Sequence, residues 1–137
     1  MRLSSDLRGA IVEHLAASLP NEGCGLFAVD AMGTVCHVYP VVNVDQSPFR
    51  FTVEPGGHFA AISHAESNGW EIGGAFHSHP QSAPEPSRTD IAGALDPLWL
   101  HLIVGLGGEV PELRAWRIVE GKAYEQAVTE GSATACR

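Results

Sequence analysis

The residues with the most chemistry lie in Phe76-His77-Ser78-His79-Pro80, followed by Ser87 and Asp90. A short apolar run, Ile72 to Phe76, leads into the two histidines and reads as a strand. In an extended strand, residues i and i+2 share a face. His77 and His79 therefore project side by side, as two ligands of one metal must. Ala75 and Gly73 precede them on that face, and their small size leaves room for other groups. Phe76 and Ser78 face the opposite way, with Phe76 in the core. Ten residues separate His79 from Asp90. Pro80, Pro84 and Pro86 rule out a helix before Ser87. Ser87-Arg88-Thr89-Asp90 then fits a helix start, with Ser87 at N-cap and Asp90 at N3 of a capping box. The helix is expected to run through Leu95 and to stop at Asp96-Pro97. Asp90 so placed is favoured in its ionised form by the helix dipole, the form a metal needs. Two imidazoles and one carboxylate make a three-ligand set, and zinc held by three protein ligands keeps a fourth position for water. Each part alone has a plainer reading, as a capping box or as a polar strand end. The combination is far more specific than either.

With Glu22 added, the set resembles the signature of the JAMM, or MPN-plus, metallopeptidases: an upstream Glu, H-x-H, seven residues, Ser, two residues, Asp. Glu22-Gly23-Cys24-Gly25-Leu26-Phe27, the segment Asn43 to Phe51 and the run Leu100 to Leu106 are similar to the compact bacterial branch of that family. The resemblance spans roughly residues 3 to 125. It implies an α/β (α+β) chain with a single cytidine-deaminase-like MPN domain, in which helices flank a curved mixed sheet. It also implies one zinc ion per chain, held by His77, His79 and Asp90. Glu22, by itself an ordinary loop carboxylate, becomes the general base. Ser87 becomes the hydroxyl aimed at the tetrahedral oxygen. The implied activity is hydrolysis of a peptide or isopeptide bond, and the implied substrate partner is a small ubiquitin-like sulfur-carrier protein, cut at its C-terminal tail. A catalytically silent scaffold is the alternative, but no motif position is missing here. A zinc nucleoside deaminase is excluded, because H-x-E and P-C-x-x-C are absent. Gly105, where relatives often carry serine, and Pro84-Glu85-Pro86 before Ser87 depart from the family pattern without touching a ligand. The long insertions with which eukaryotic deubiquitinating relatives grip ubiquitin chains are lacking.

The elements that must position these residues follow from pattern. The 137 residues suit one domain, residues 1–137, with 129–137 as a frayed tail. Leu3, Leu7, Ile11 and Leu15 mark a helix capped by Ser4 or Ser5 and ending at Leu19-Pro20-Asn21. Glu22–Val29 and Thr34–Tyr39 read as a hairpin about Asp30-Ala31-Met32-Gly33. Val41–Val44 reads as a continuation of the sheet after Pro40, and Phe49–Val53 reads as a further strand. Glu54-Pro55 opens a second helix, with Phe59 and Ile62 at helical spacing and Asn68-Gly69 as its stop. Trp70–His77 is the site strand. Leu100–Leu106 reads as a central strand covered on both faces. Leu113–Val119 and Ala123–Val128 close the sheet.

Sixteen acidic against eight basic residues, net −8, argue against a nucleic-acid surface. No run of eighteen apolar residues suggests a membrane span, and the N-terminus lacks a signal-peptide core. Cys24, Cys36 and Cys136 form no C-x-x-C and read as reduced thiols in a cytoplasmic protein. Cys24 reads as a buried, inert thiol. His14, His37, His58, His64 and His101 lack ligand spacing. Trp70, Trp99 and Trp116 read as core aromatics. Asn43 reads equally as a groove residue and as a turn stabiliser. A homodimer stays open.

Overall fold

The computed structural model describes residues 1–132 and 136. In chain order the elements are β1 (Arg2–Leu3), α1 (Ser5–Ala17), β2 (Cys24–Val29), β3 (Val35–Val41), α2 (Pro55–Ser67), β4 (Glu71–His79), α3 (Arg88–Gly93), β5 (Leu100–Gly105), β6 (Glu112–Val119), β7 (Lys122–Gln126) and β8 (Thr129–Glu130). Six strands form the main sheet in the order β3-β2-β4-β5-β6-β7. Every neighbouring pair is antiparallel except β4 and β5, which are joined by the crossover that carries α3. That crossover leaves the C-terminal end of β4 facing the N-terminus of α3.

The strand period divides the sheet into two packed faces. Phe27, Phe76, Leu102 and Val104 point to one face and bury Ile11 and Leu15 of α1 beneath them. Leu26, Val41 and Ala75 point to the other and meet Ala61 of α2. Phe76 is fully buried, as its alternation with His77 requires. Helix α1 begins where Ser4 Oγ accepts from the amide of Leu7, so Ser4 is the cap. Helix α2 is capped by the Glu54 carboxylate, which accepts from the amides of Gly56 and Gly57. A side chain at Gly57 would run into Val41, so the glycine lets α2 settle close on the sheet.

Several expectations need correction. Helix α2 buries Ala61 and Ala65, while Phe59 is 73% exposed. The small residues make the packing stripe because α2 lies so close. Phe49–Val53 is not a strand; its one backbone bridge among the described residues joins Val53 to Asn43. Strand β3 runs on through Pro40, which an edge strand tolerates because no neighbour needs the missing N–H. Helix α3 stops at Gly93, short of Leu95. None of the three tryptophans is fully buried. Trp116 donates from its indole to the Pro84 carbonyl under the Arg114 guanidinium, and Trp70 joins a ring cluster with His37 and His64.

The tail and the cysteines differ most from expectation. Thr129 and Glu130 pair in parallel with Arg2 and Leu3, and Arg2 also bridges to Thr34. This ties the C-terminal segment to the start of β3, where Cys36 and Cys136 form a disulfide. The remainder of the expected frayed tail, residues 133–135 and 137, lies outside the described residues. Only Cys24 is a free thiol, so the cysteines do not point to a reducing compartment. A cross-link joining residues 100 apart restricts the unfolded chain strongly, up to about 5 kcal/mol in the loop-entropy account. Reductant is expected to lower the melting temperature of the wild type and to leave a Cys36→Ala/Cys136→Ala double variant unmoved. Equal responses of the two proteins would show that the pair is not bonded.

Candidate active site

The site is built on one end of the sheet by cross-strand register. Cys24 of β2 stands opposite His77 of β4. One residue further, the amide of Ser78 donates to the Gly23 carbonyl at 3.2 Å, and the amide of Gly23 donates to Ser78 Oγ at 2.9 Å. This pairing sets Glu22 opposite His79 and on the same face as both histidines. Ser78 is fully buried on the opposite face, where it pins the lead-in to β2. Asn43 holds Glu22 from the other side. Its Nδ2 donates to the Glu22 carbonyl at 3.0 Å, and its Oδ1 accepts from the amides of Asp45 and Thr52. Asn43 thus builds a turn, and that turn positions Glu22. Sequence reasoning missed Ser78 because a serine between two histidines looks like spacer.

Helix α3 supplies the third ligand candidate. Ser87 Oγ accepts from the amide of Asp90 at 3.0 Å, and Asp90 Oδ2 accepts from the amide of Ser87 at 2.9 Å, so both arms of the capping box are made. The same Oδ2 lies 3.2 Å from His77 Nε2 and 3.0 Å from His79 Nε2. The two Nε2 atoms are 3.2 Å apart. The oxygen that closes the capping box is therefore also the one that faces both imidazoles.

These distances bear on whether a metal fits. Tetrahedral zinc with ligands at about 2.0–2.2 Å spaces them about 3.3 Å apart, close to the spacing seen. Two imidazoles and one carboxylate are a borderline-soft donor set that suits zinc. His79 Nδ1 meets the Ala83 carbonyl at 2.8 Å, which orients the ring with Nε2 toward the cluster. Phe51 stacks on His77 with ring centroids 4.4 Å apart and holds that ring in plane. Asp30, Cys36 and Cys136 form a second group with ligand-type spacing, but its sulfurs are bonded to each other.

Electrostatics separate the two carboxyl groups. Burial works against the charge on Asp90, but hydrogen bonds from His77 and His79 outweigh it and hold the carboxyl well below the usual range. Burial, and then the charge of Asp90, push Glu22 up to about 8, with His79 acting the other way. Glu22 is 4% exposed and its Oε1 has no hydrogen-bond partner. Burial lowers His77, whereas Asp90 and the Ala83 carbonyl outweigh burial at His79 and raise it. Cys24, beside Glu22, is pushed up to about 12 by burial and then by Glu22, which leaves it an inert thiol.

The Glu22 shift has a signed consequence for the metal-free protein. Unfolded, Glu22 ionises near 4.5; folded, it ionises near 8. The folded state holds the proton longer, so its contribution is full below about 4.5 and falls as pH rises toward 8. Chelated Glu22→Gln is expected to match chelated wild type in melting temperature at acid pH and to exceed it at pH about 8. Parallel melting curves across that range would show that the carboxylate is not desolvated beside Asp90.

Residues 4–119 match the prokaryotic homologs of the JAB domain, and the chain belongs to that family. Its mixed α+β architecture is the JAB1/MPN fold. It is similar to a desampylase of Haloferax volcanii, 34% identical over 116 residues that cover 80% of this chain and 84% of that protein. It is similar also to the CysO-cysteine peptidase of Mycobacterium tuberculosis, 28% identical over 92% of this chain and 88% of that protein. Among solved structures, protein DSY2949 from Desulfitobacterium hafniense superposes with a TM-score of 0.88 at 31% identity, covering 99% of this chain and 97% of that one.

Proposed function

We propose that this chain is a zinc metallopeptidase that hydrolyses a peptide or isopeptide bond at the C-terminal tail of a small ubiquitin-like sulfur-carrier protein. His77, His79 and Asp90 hold one ion per chain, Glu22 moves the proton, and Ser87 stabilises the oxyanion. One observation carries the reading: three ligand-type atoms meet within 3.2 Å, beside a buried carboxylate without a partner. The substrate class is suggested by relatives named as a desampylase and as a CysO-cysteine peptidase.

A zinc ion bound there supplies a Lewis acid and a water whose pKa is lowered toward ~7. Glu22 accepts the proton of the attacking water and passes it to the leaving amine. Its burial beside the ligand set, with Oε1 unpartnered, suits both halves of that duty. Ser87 Oγ uses a lone pair to cap α3, so its own proton is free to be donated to the carbonyl oxygen as negative charge develops. Asp90, tied to the Ser87 amide, keeps that hydroxyl and the ligand set in one rigid turn.

The test offers the zinc-loaded protein a carrier ending in Gly-Gly with a C-terminal cysteine, and a second carrier joined through a lysine side chain. Release of the extension, read by mass spectrometry, is the expected result with at least one of them. Ser87→Ala should slow it by about 10²–10³ in kcat with little change in KM. Inertness of wild type toward both, with zinc bound, would sink the proposal.

A further inference from the structure

The segment 80–87, between His79 and α3, holds no helix or strand. Three of its residues, Pro80, Pro84 and Pro86, have no N–H with which to tie it down. Yet this segment sets two parts of the site. Its Ala83 carbonyl meets His79 Nδ1 at 2.8 Å, and its end delivers Ser87 and Asp90 to α3. What holds it comes from β5 and β6. Pro84 is the one buried residue of the segment. It lies on Gly105 at the end of β5, where a Cβ would stand 2.9 Å from Pro84 Cδ and 3.2 Å from the Ser82 carbonyl oxygen. From β6, the Trp116 indole donates to the Pro84 carbonyl at 2.8 Å.

The two departures from the family pattern, Gly105 and the run Pro84-Glu85-Pro86, thus meet in space. The Ala83 carbonyl and the Pro84 ring nitrogen belong to one planar peptide unit, so a pinned ring is a pinned carbonyl. A side chain at position 105 would push that rigid ring, and the carbonyl with it. We propose that Trp116 is a positioning residue for His79. With the seat that Gly105 leaves open, its indole clamps Pro84 and so holds the Ala83 carbonyl against the imidazole. A partner at the second ring nitrogen orients a metal-binding histidine, and losing it costs about 10–100-fold in metal affinity. Arg114 covers the indole, its guanidinium 4.9 Å from the ring, and pairs with Glu85 at 3.1 Å. Glu85 is exposed, so that ion pair adds little, and the clamp is the indole and the seat. The inference rests on the zinc reading above and names what keeps one of its ligands in place.

The experiment uses the full chain and measures zinc affinity by competition with a chromophoric chelator. The temperature is one at which circular dichroism shows every variant folded. Under that condition a loss of stability alone leaves the dissociation constant unchanged. Trp116→Phe keeps a ring under Arg114 and removes the N–H donor. It should weaken zinc binding about tenfold or more and shift the d–d absorption of the cobalt-substituted protein. Gly105→Ser should weaken zinc to a similar degree. Adding Pro84→Ala to that variant should recover part of the loss, because the colliding Cδ is gone. Either Trp116→Phe or Gly105→Ser decides the matter if the other does not fold. Trp70→Phe makes the same truncation in the ring cluster of His37 and His64 and should leave zinc affinity unchanged. Wild-type zinc affinity and a wild-type cobalt spectrum in Trp116→Phe and Gly105→Ser would reduce the clamp to a stabilising contact. That result would overturn the proposal and leave the peptidase reading intact. If the wild type itself holds no stoichiometric zinc, both fall.

Discussion

Glu22→Gln is expected to reduce kcat by about 10²–10⁴ while the protein keeps its zinc and its fold. The substitution is nearly isosteric, and Glu22 is not among the three atoms that crowd together as ligands. What changes is proton chemistry. A glutamine at this position cannot take a proton from water or return one to an amine. The fold should tolerate it, because the backbone of Glu22 carries the structural contacts: its carbonyl accepts from Asn43 and its amide donates to the Ser47 carbonyl at 2.9 Å. Steady-state kinetics paired with metal analysis read the two effects separately. A fall of less than tenfold would remove Glu22 from the proton path, and loss of zinc would recast it as a ligand.

Asp90→Ala is expected to abolish both stoichiometric zinc and activity. The change leaves two imidazole nitrogens at 3.2 Å with no anion between them. It also deprives the Ser87 amide of its acceptor, which loosens the start of α3 and costs stability by about 1 kcal/mol. Asp90→Asn divides these effects, because an amide oxygen can still accept from Ser87 but brings no charge to the ion. The asparagine variant should melt near metal-free wild type and still fail to hold zinc after dialysis. If alanine at this position retains one zinc per chain, the carboxylate caps α3 and nothing else.

The candidate ligand set is legible in the sequence because each of its parts rests on local rules. Strand period alone puts His77 beside His79, and capping chemistry alone puts Asp90 in the first turn after Ser87. The upstream position of Glu22 came only from the family pattern. Its physical basis is cross-strand pairing through Gly23 and Ser78, which no local rule reveals. Asn43 and Phe51 were obscure for the same reason, since their partners lie far along the chain. In helix α2 the large apolar residues do not mark the buried stripe. Its packing is set by Gly57, Ala61 and Ala65, and the large Phe59 is left outside. The Cys36–Cys136 pair was hidden by its separation, and only the pairing of β1 with β8 brings the tail back to β3.

The most direct measurement is anomalous diffraction at the zinc edge from crystals of the zinc-loaded protein. The account predicts a single peak per chain at about 2.0–2.2 Å from His77 Nε2, His79 Nε2 and one oxygen of Asp90, with Glu22 near the open position and not bonded to the ion. A peak at Asp30 instead, or no ordered ion between the two imidazoles, would contradict it.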